Sequence, residues 1–574
     1  MSYLNNLYSI LKQLDLKRFI LIIIFMIGAT ILEFVGISLI VPFIAILTEQ
    51  NTSFLNYLPD RFLEIFFSLS KEKIFIYGIC IFFLIYLIKS IYLIFFNLKL
   101  NQFVFRSEAK LCGMMFQKYL NLPYTFHVRE KSSKLIRNLT EEIHLFAEGI
   151  LLQGLIVLAE LIITIFLISF LLYINPFNTL LIIAMILIVI LIFVLTMKKK
   201  LNFWGNQRQK FGQLIIQQIS ESFGSIKEII LYKKENFFSK NLNTYVYSKS
   251  KSSIFQNFFV SLPRLTFEFF AIASILMISF FMIKFDYSLD EILSFVVIFG
   301  VICFRLLPAS NRILNYVQVS IYHKSAIKVI YDQLDIADDI KKDLTKNVNF
   351  SKDLTFKNKI SIQNISFNYD ISNTDVLNNL NFEINKNESV GIIGSSGSGK
   401  STLVTLLMGM LRPKKGDIKC DEVSIYENIF NWQNKISYVP QDVFLINDTI
   451  KKNIAFGENE DDIDNEKIEE VIGMVFLENF IKNLPNGLET IVGERGANIS
   501  GGQKQRIGIA RALYRNPEIL IMDESTNSLD KLTENELLDD LFKSKKEYTL
   551  ILISHNKSVF KNFDRVLNIK EINT

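Results

Sequence analysis

Six stretches in the first 320 residues, about 19–47, 74–98, 147–173, 177–197, 256–283 and 292–318, are dominated by Ile, Leu and Phe. A helix that crosses a bilayer needs roughly 20 mostly apolar residues, and all six stretches meet that length. Buried helices of a large soluble core are the alternative. Six such runs in succession, several beyond the minimum, speak for membrane spans instead. The first run is too long for a cleavable signal peptide and has no small-residue cleavage site. Past residue 320 the composition becomes that of an ordinary globular domain. The expected organisation is a membrane domain over 1–320, a polar linker over 321–358 and a globular domain over 359–574.

Lysine and arginine between the runs set an orientation. Lys12, Lys17 and Arg18 flank the first run, and Arg106, Lys110, Lys118, Arg129, Lys131, Lys134 and Arg137 lie between the second and third. The stretch after the fourth run opens Lys198-Lys199-Lys200 and continues with Arg208, Lys210, Lys227, Lys233 and Lys234. The turns at 175–177 and 286–291 are short and not basic, and 48–73 mixes both signs. Cytoplasmic loops carry the excess of basic residues, which puts both termini in the cytoplasm of a cell whose cytoplasmic membrane the chain crosses. Both basic loops run to about fifty residues and read as helical. Phe54–Ser68 suits an amphipathic helix on the outer leaflet, or equally an ordinary loop helix packed on its neighbours. A net charge of +5 is small for 574 residues and gives no reason to expect nucleic acid. The four cysteines are scattered, without metal-ligand spacing, and are expected as free thiols.

The globular part carries the chemistry. Gly394-Ser395-Ser396-Gly397-Ser398-Gly399-Lys400-Ser401 fits G-x-x-x-x-G-K-[ST] and lies between an apolar strand at 389–393 and a helical pattern that begins at Thr402. In such a loop backbone N–H groups close around phosphates, helped by the positive end of the helix. Lys400 is expected to reach the β- and γ-phosphates, and Ser401 to ligate Mg²⁺. About a hundred residues later come Ser500-Gly501-Gly502-Gln503 and Lys504-Gln505-Arg506. An apolar strand at 519–522 ends on Asp523-Glu524, where the plain alternative is a pair of acids capping the next helix. Tyr369, Gln441 in Tyr438-Val439-Pro440-Gln441, Asp530 in Ser528-Leu529-Asp530, and His555 after the strand at 549–554 complete the set.

Together these motifs resemble the ATPase domain of ABC transporters, and with the six runs the whole chain resembles an ABC exporter half-molecule. The resemblance implies an all-α six-helix transmembrane domain followed by an α/β P-loop ATPase domain. It also implies a homodimer, with the P-loop of one copy and the Ser500–Gln503 signature of the other clamping one ATP. On that likeness Tyr369 stacks on adenine, and Gly394 to Thr402 hold the phosphates. Gln441 senses Mg²⁺ and the attacking water, Asp523 holds Mg²⁺, Glu524 polarises the water, His555 contacts the γ-phosphate and Asp530 crosses the dimer interface. Ile499 and Asn527 stand where the family usually has Leu and Ala. Glu524, His555 and the full signature are retained, so both sites of a homodimer are expected to hydrolyse ATP. Val492-Gly493-Glu494-Arg495-Gly496 resembles a segment characteristic of exporters. The segments near Tyr124-Thr125-Phe126 and Phe223–Glu228 correspond to coupling elements, or read as polar turns in basic loops.

Four cations lie within the apolar runs: Lys89, Arg264, Arg305 and Arg312. Charge inside a bilayer is costly and marks a pathway or a partner. The segments Leu262-Pro263-Arg264 and 305–313 resemble the flippases of lipid-linked oligosaccharides used in bacterial protein N-glycosylation. In those proteins cavity arginines meet the pyrophosphate of a polyprenyl carrier. Lys89 stands where an arginine is expected, keeping the charge without the bidentate geometry. The plain alternative is structural: Arg264 can pair with Glu268 one turn on, and Glu33 and Glu160 are further partners. Exporters of peptides, drugs or other lipids such as lipid A remain rivals, although no cysteine-protease domain is expected ahead of the first run. A channel gated by an ABC ATPase is also open; the soluble ABC ATPases are excluded by the six runs.

Overall fold

The computed structural model describes residues 2–38, 71–174, 176–286, 288–346, 353–369, 375–526, 528–543 and 547–572. Phe54–Ser68, the end of the first apolar run, Asn527 and the side chain of Arg305 lie outside what is described. The chain divides into two compact units, Met1–Leu122 with His127–Asp339, and Ile340–Thr574 with Pro123–Phe126.

The first unit is helical. Its long helices are α1 (Leu16–Ser38), α2 (Lys71–Leu120), α3 (Gln153–Ile174), α4 (Pro176–Gly224), α5 (Glu235–Lys284) and α6 (Leu289–Tyr322). Among the described residues, Leu16–Gly36, Ile76–Leu120, Ser132–Phe166 and Glu235–Lys284 are long and apolar enough to cross a membrane. The runs at 177–197 and 292–318 lie inside α4 and α6. At 1.5 Å per residue a 50-residue helix such as α2 or α5 is about 75 Å long. A hydrocarbon core is about 30 Å thick, so each holds a span and a long extension beyond it. Ile24 on α1, Phe83 and Ile91 on α2, and Phe269 on α5 stand exposed. Such side chains are what lipid, rather than water, covers.

The extensions have a polar core of their own. Glu142, in the π-helical turn Asn138–Glu142, is fully buried, 3.6 Å from Arg137 and 3.3 Å from Arg208. Two arginines that the sequence presents as loop charges therefore fold inward, because the helices bearing them pack together. The stretch expected as a linker opens with a helix, α7 (Lys324–Lys346). Ala326, Ile327, Ile330 and Leu334 are buried at helical spacing, an apolar stripe that the polar average of the segment conceals.

The second unit is α/β. Strands β1 (Lys359–Phe367), β2 (Leu377–Asn385), β4 (Lys415–Cys420) and β5 (Val423–Ser424) form an antiparallel sheet. Strands β3 (Ser389–Ile393), β6 (Ile436–Val439), β7 (Ile519–Asp523), β8 (Thr549–Ile553) and β9 (Arg565–Asn568) form a parallel sheet in the order β6-β7-β8-β3-β9. β7 and β8 are buried along their whole length, as expected of central strands covered on both faces. Val439 pairs with Met522, Asp523 with Ile553, and Ile392 with Ile553. Four strands thus end level with one another on one edge, and the residues that follow them meet there.

Candidate functional site

That edge explains why motifs as far apart in sequence as Lys400 and His555 come together. β3 runs into the glycine-rich loop, β6 into Gln441, β7 into Asp523 and Glu524, and β8 toward His555. The carboxyl edge of a parallel sheet is where such folds bind ligands. A cavity of about 510 Å³ opens there, lined by Gly397, Gly399, Lys400, Ser401, Thr402, Gln441, Asp523, Glu524 and His555, with Ser396 and Val376. Neither of the last two is flagged by a motif: Ser396 fills a free position of the P-loop pattern, and Val376 lies just before β2.

Helix α8 (Lys400–Leu407) starts directly from the loop, with Gly399 as its N-cap at φ +93°. A side chain at Gly399 would meet Leu377 Cδ2 at 2.6 Å and the Val376 carbonyl at 3.2 Å, so glycine is required by both backbone and space. Lys400 Nζ donates to the carbonyls of Gly394 and Ser395 at 2.9 and 3.1 Å, which holds the ammonium over the loop. Ser398 lies inside the loop, its Cβ 3.4 Å from where a Gly394 side chain would begin. Tyr369 Oη and Thr402 Oγ1 are 3.1 Å apart, and the Tyr369 ring meets Phe367 edge-on at 5.1 Å.

Burial, then the neighbouring charge of Glu524, raises the Asp523 carboxyl above the usual aspartate value, while Lys400 pulls the other way. Burial and Asp523 push the Tyr438 phenol up as well. Glu524 has φ +48°, a left-handed backbone rarely adopted by a non-glycine residue, and its N–H donates to Ile553 O at 2.9 Å. Its carboxylate accepts from Gln441 Nε2 at 3.0 Å and lies 3.5 Å from His555 Nδ1.

The signature residues stand elsewhere. Ser500 caps helix α9 (Gly501–Tyr514) in a reciprocal capping box with Gln503, and neither these residues nor Gly501, Gly502 or Asp530 lines the cavity. Asp530 caps helix α10 (Lys531–Lys543) by accepting from Thr533 N–H and Oγ1–H.

Models of two families match this chain: "ABC transporter transmembrane region" over residues 17–306 and "ABC transporter" over 377–527. The chain belongs to the ABC transporter family. An uncharacterized ABC transporter ATP-binding protein of Bacillus subtilis, YwjA, is 35% identical over 292 residues, 50% of this chain and 48% of that protein. An ATP-dependent lipid A-core flippase of Pasteurella multocida is 38% identical over 212 residues, 37% of this chain and 36% of the flippase. The matches thus span about half and about a third of these relatives. A bacterial Atm1-family ABC exporter solved with ATP bound has the same fold, with a TM-score of 0.77 at 19% identity, over 96% of this chain and 93% of that one.

Of the four cations in the apolar runs of this ABC transporter, the three whose side chains are described each have a carboxylate or an aromatic ring as neighbour. Arg264 Nε lies 3.0 Å from Glu268 Oε1, both on α5. Arg312 Nη2 on α6 lies 2.8 Å from Glu160 Oε1 on α3. Lys89 Nζ sits 5.0 Å from the centre of the Tyr86 ring. The pairing that the sequence offered for Arg264 is made, and Glu160, offered there as a partner of no stated cation, pairs with Arg312.

Proposed function

We propose that two copies of this chain form an ATP-driven exporter in the cytoplasmic membrane, with both termini in the cytoplasm. The observation that carries the reading is the cavity at the level strand ends, where Lys400, Gln441, Asp523, Glu524 and His555 share one space. ATP phosphates would take the loop N–H groups and Lys400, with Tyr369 against the adenine. Ser401, Gln441 and Asp523 offer the hard oxygen ligands that a nucleotide-bound Mg²⁺ would prefer. Glu524 then orients and polarises the attacking water, and His555 faces the γ-phosphate. Ser500–Gln503 at a capped helix N-terminus is suited to a phosphate. Its position outside this protomer's own cavity supports its use by the second copy. Closure around two shared nucleotides drives the helices, and hydrolysis resets them.

The proposed cargo is an amphiphile with a phosphorylated headgroup, with a polyprenyl-pyrophosphate-linked oligosaccharide as first candidate. The exposed guanidinium of Arg264 and the half-exposed one of Arg312 support this reading, since each has donors left beside its carboxylate. Lipid A is the second reading, favoured by the flippase among the relatives; peptides and drugs follow. The test is ATP turnover in lipid vesicles, titrated with the polyprenyl-linked glycan, for wild type and the Arg305→Ala/Arg312→Ala variant. Stimulation that vanishes in the variant supports the glycan carrier. Turnover indifferent to that lipid overturns it and leaves the exporter reading in place.

A further inference from the structure

Ser528 N–H donates to Gln505 Oε1 at 3.0 Å. Gln505 lies five residues past the Ser500 cap on α9 and is only 5% exposed. Ser528 opens the Ser528-Leu529-Asp530 loop, so one buried side chain joins the signature helix to a loop more than twenty residues away. The same two segments are also in contact through the signature glycines. A side chain on Gly502 would come 3.2 Å from the Ser528 carbonyl and 3.6 Å from Leu529; one on Gly501 would come 3.7 Å from Ser528 Cβ. At its far end the loop is fixed by Asp530, which caps α10 through Thr533. The loop is therefore held twice, by Gln505 at its start and by the helix cap at its end.

We propose that Gln505 is a positioning residue for ATP hydrolysis: it locks the Ser528–Asp530 loop onto the first turn of the signature helix, so that both reach the other copy's nucleotide as one preformed surface. The inference rests on the dimer reading above. Gly502 acquires a second reason to be glycine, since a Cβ there would stand 3.2 Å from the Ser528 carbonyl and the loop would have to give by a few tenths of an ångström. Without the Gln505 acceptor, the Ser528 N–H loses its buried partner and the start of the loop is no longer fixed. Each nucleotide-driven closure then has to order the loop anew, at a cost in conformational entropy. Nucleotide binding to the protomer's own P-loop does not pass through Gln505 and is left alone.

The experiment compares wild type, Gln505→Met, which keeps size without the acceptor, and Gln505→Glu, which keeps an acceptor oxygen, all as full chains in lipid vesicles. Three quantities are read: steady-state ATP turnover, the Kd of a fluorescent ATP analogue in a Glu524→Gln background, and the thermal midpoint. For Gln505→Met, turnover falls about tenfold or more. Analogue binding and thermal midpoint stay at wild-type values, and Gln505→Glu recovers most of the turnover. Turnover within about twofold of wild type in Gln505→Met overturns the proposal, as does an equal loss in Gln505→Glu. A loss of analogue binding or thermal midpoint that parallels the loss of turnover also overturns it, since Gln505 would then be a fold residue only. A wild-type chain that turns over no ATP would sink the exporter reading itself, an outcome distinct from these.

Discussion

Gln441 Nε2 donates to Glu524 Oε2 across 3.0 Å, while His555 Nδ1 stands 3.5 Å from the other oxygen of the same carboxylate. The proposed catalytic carboxylate is therefore shared between a residue just past β6 and one just past β8, on a backbone at φ +48°. An αL conformation at a non-glycine residue is maintained only where its surroundings demand it. Here the demand is the Glu524 N–H bond to Ile553 O and the two side-chain neighbours. The arrangement aims the carboxylate into the cavity instead of along the sheet.

Glu524→Gln keeps the shape of this arrangement and removes the charge that polarises water. Turnover is expected to fall by about 10²–10⁴, the usual contribution of a positioned base. Nucleotide binding is retained, because Lys400 and the loop N–H groups are untouched. Gln441→Ala removes one donor to the carboxylate and one proposed oxygen ligand of Mg²⁺ but leaves the carboxylate itself in place, so its effect on turnover is smaller. Phosphate release and analogue binding on the same vesicles separate the two; equal losses in both variants would contradict these roles.

Glu142 carries the electrostatics of the helical extensions. Its side chain is fully buried, and Arg137 and Arg208 beside it are almost as buried, so two buried cations share one buried anion, with the partly exposed Glu141 also acting on Arg137. Glu142→Gln takes from both guanidiniums their shared buried counter-charge and is expected to cost about 3–5 kcal/mol. Replacing the group with apolar residues, Arg137→Met, Glu142→Leu and Arg208→Met together, is expected to recover most of that stability, since no charge is then left to desolvate. Thermal unfolding in lipid nanodiscs reads both variants. A Glu142→Gln chain as stable as wild type would mean that the cluster is hydrated.

How far this was visible in the sequence follows from how local each feature is. The P-loop, Asp523-Glu524 and His555 each sit at a strand end, and parallel strands that finish level bring them together without help from distant packing. Arg264 and Glu268 were visible as a pair because four residues make one helical turn. Arg312 and Glu160 are 152 positions apart, and only the packing of α3 against α6 selects Glu160. Gln505 stood in plain view beside the signature, but its partner N–H belongs to a loop that reaches the helix close to Gly502 only in the folded chain. The π-helical turn that delivers Glu142 to two arginines has no sequence pattern of its own.

Cys420 illustrates a buried thiol whose chemistry is set by the fold. It ends β4, is 1% exposed, and burial with the adjacent Asp421 pushes its thiol up to about 12. A folded value raised above the unfolded one means that the neutral thiol's stabilisation is complete below the unfolded value and is lost as pH rises toward about 12. At pH 9 the native thiol should therefore resist alkylation. In a chain with Cys80, Cys112 and Cys303 changed to Ser, maleimide is expected to label Cys420 in SDS and not in the native protein. Fast native labelling at pH 9 would show that the strand end opens to solvent.

Arg312 and Glu160 allow the cargo reading to be separated from a structural one. Glu160 is the more buried partner, with 11% of its side chain exposed against 39% for Arg312. If the arginine only neutralises Glu160, Arg312→Gln is destabilising and Arg312→Gln/Glu160→Gln restores both stability and lipid-stimulated turnover. If the arginine meets an anionic headgroup, the double variant regains stability but not stimulation. Glu160→Gln alone then strengthens the response, because the guanidinium no longer divides its donors between a carboxylate and a phosphate. Half-maximal stimulation should come at lower lipid concentration, by about threefold to tenfold for a charge-assisted hydrogen bond of this kind. The comparison needs the stimulating lipid and the thermal midpoint measured on the same three variants. Recovery of stimulation by the double variant would remove Arg312 from the cargo site and leave it as the partner that makes Glu160 tolerable inside the helical bundle.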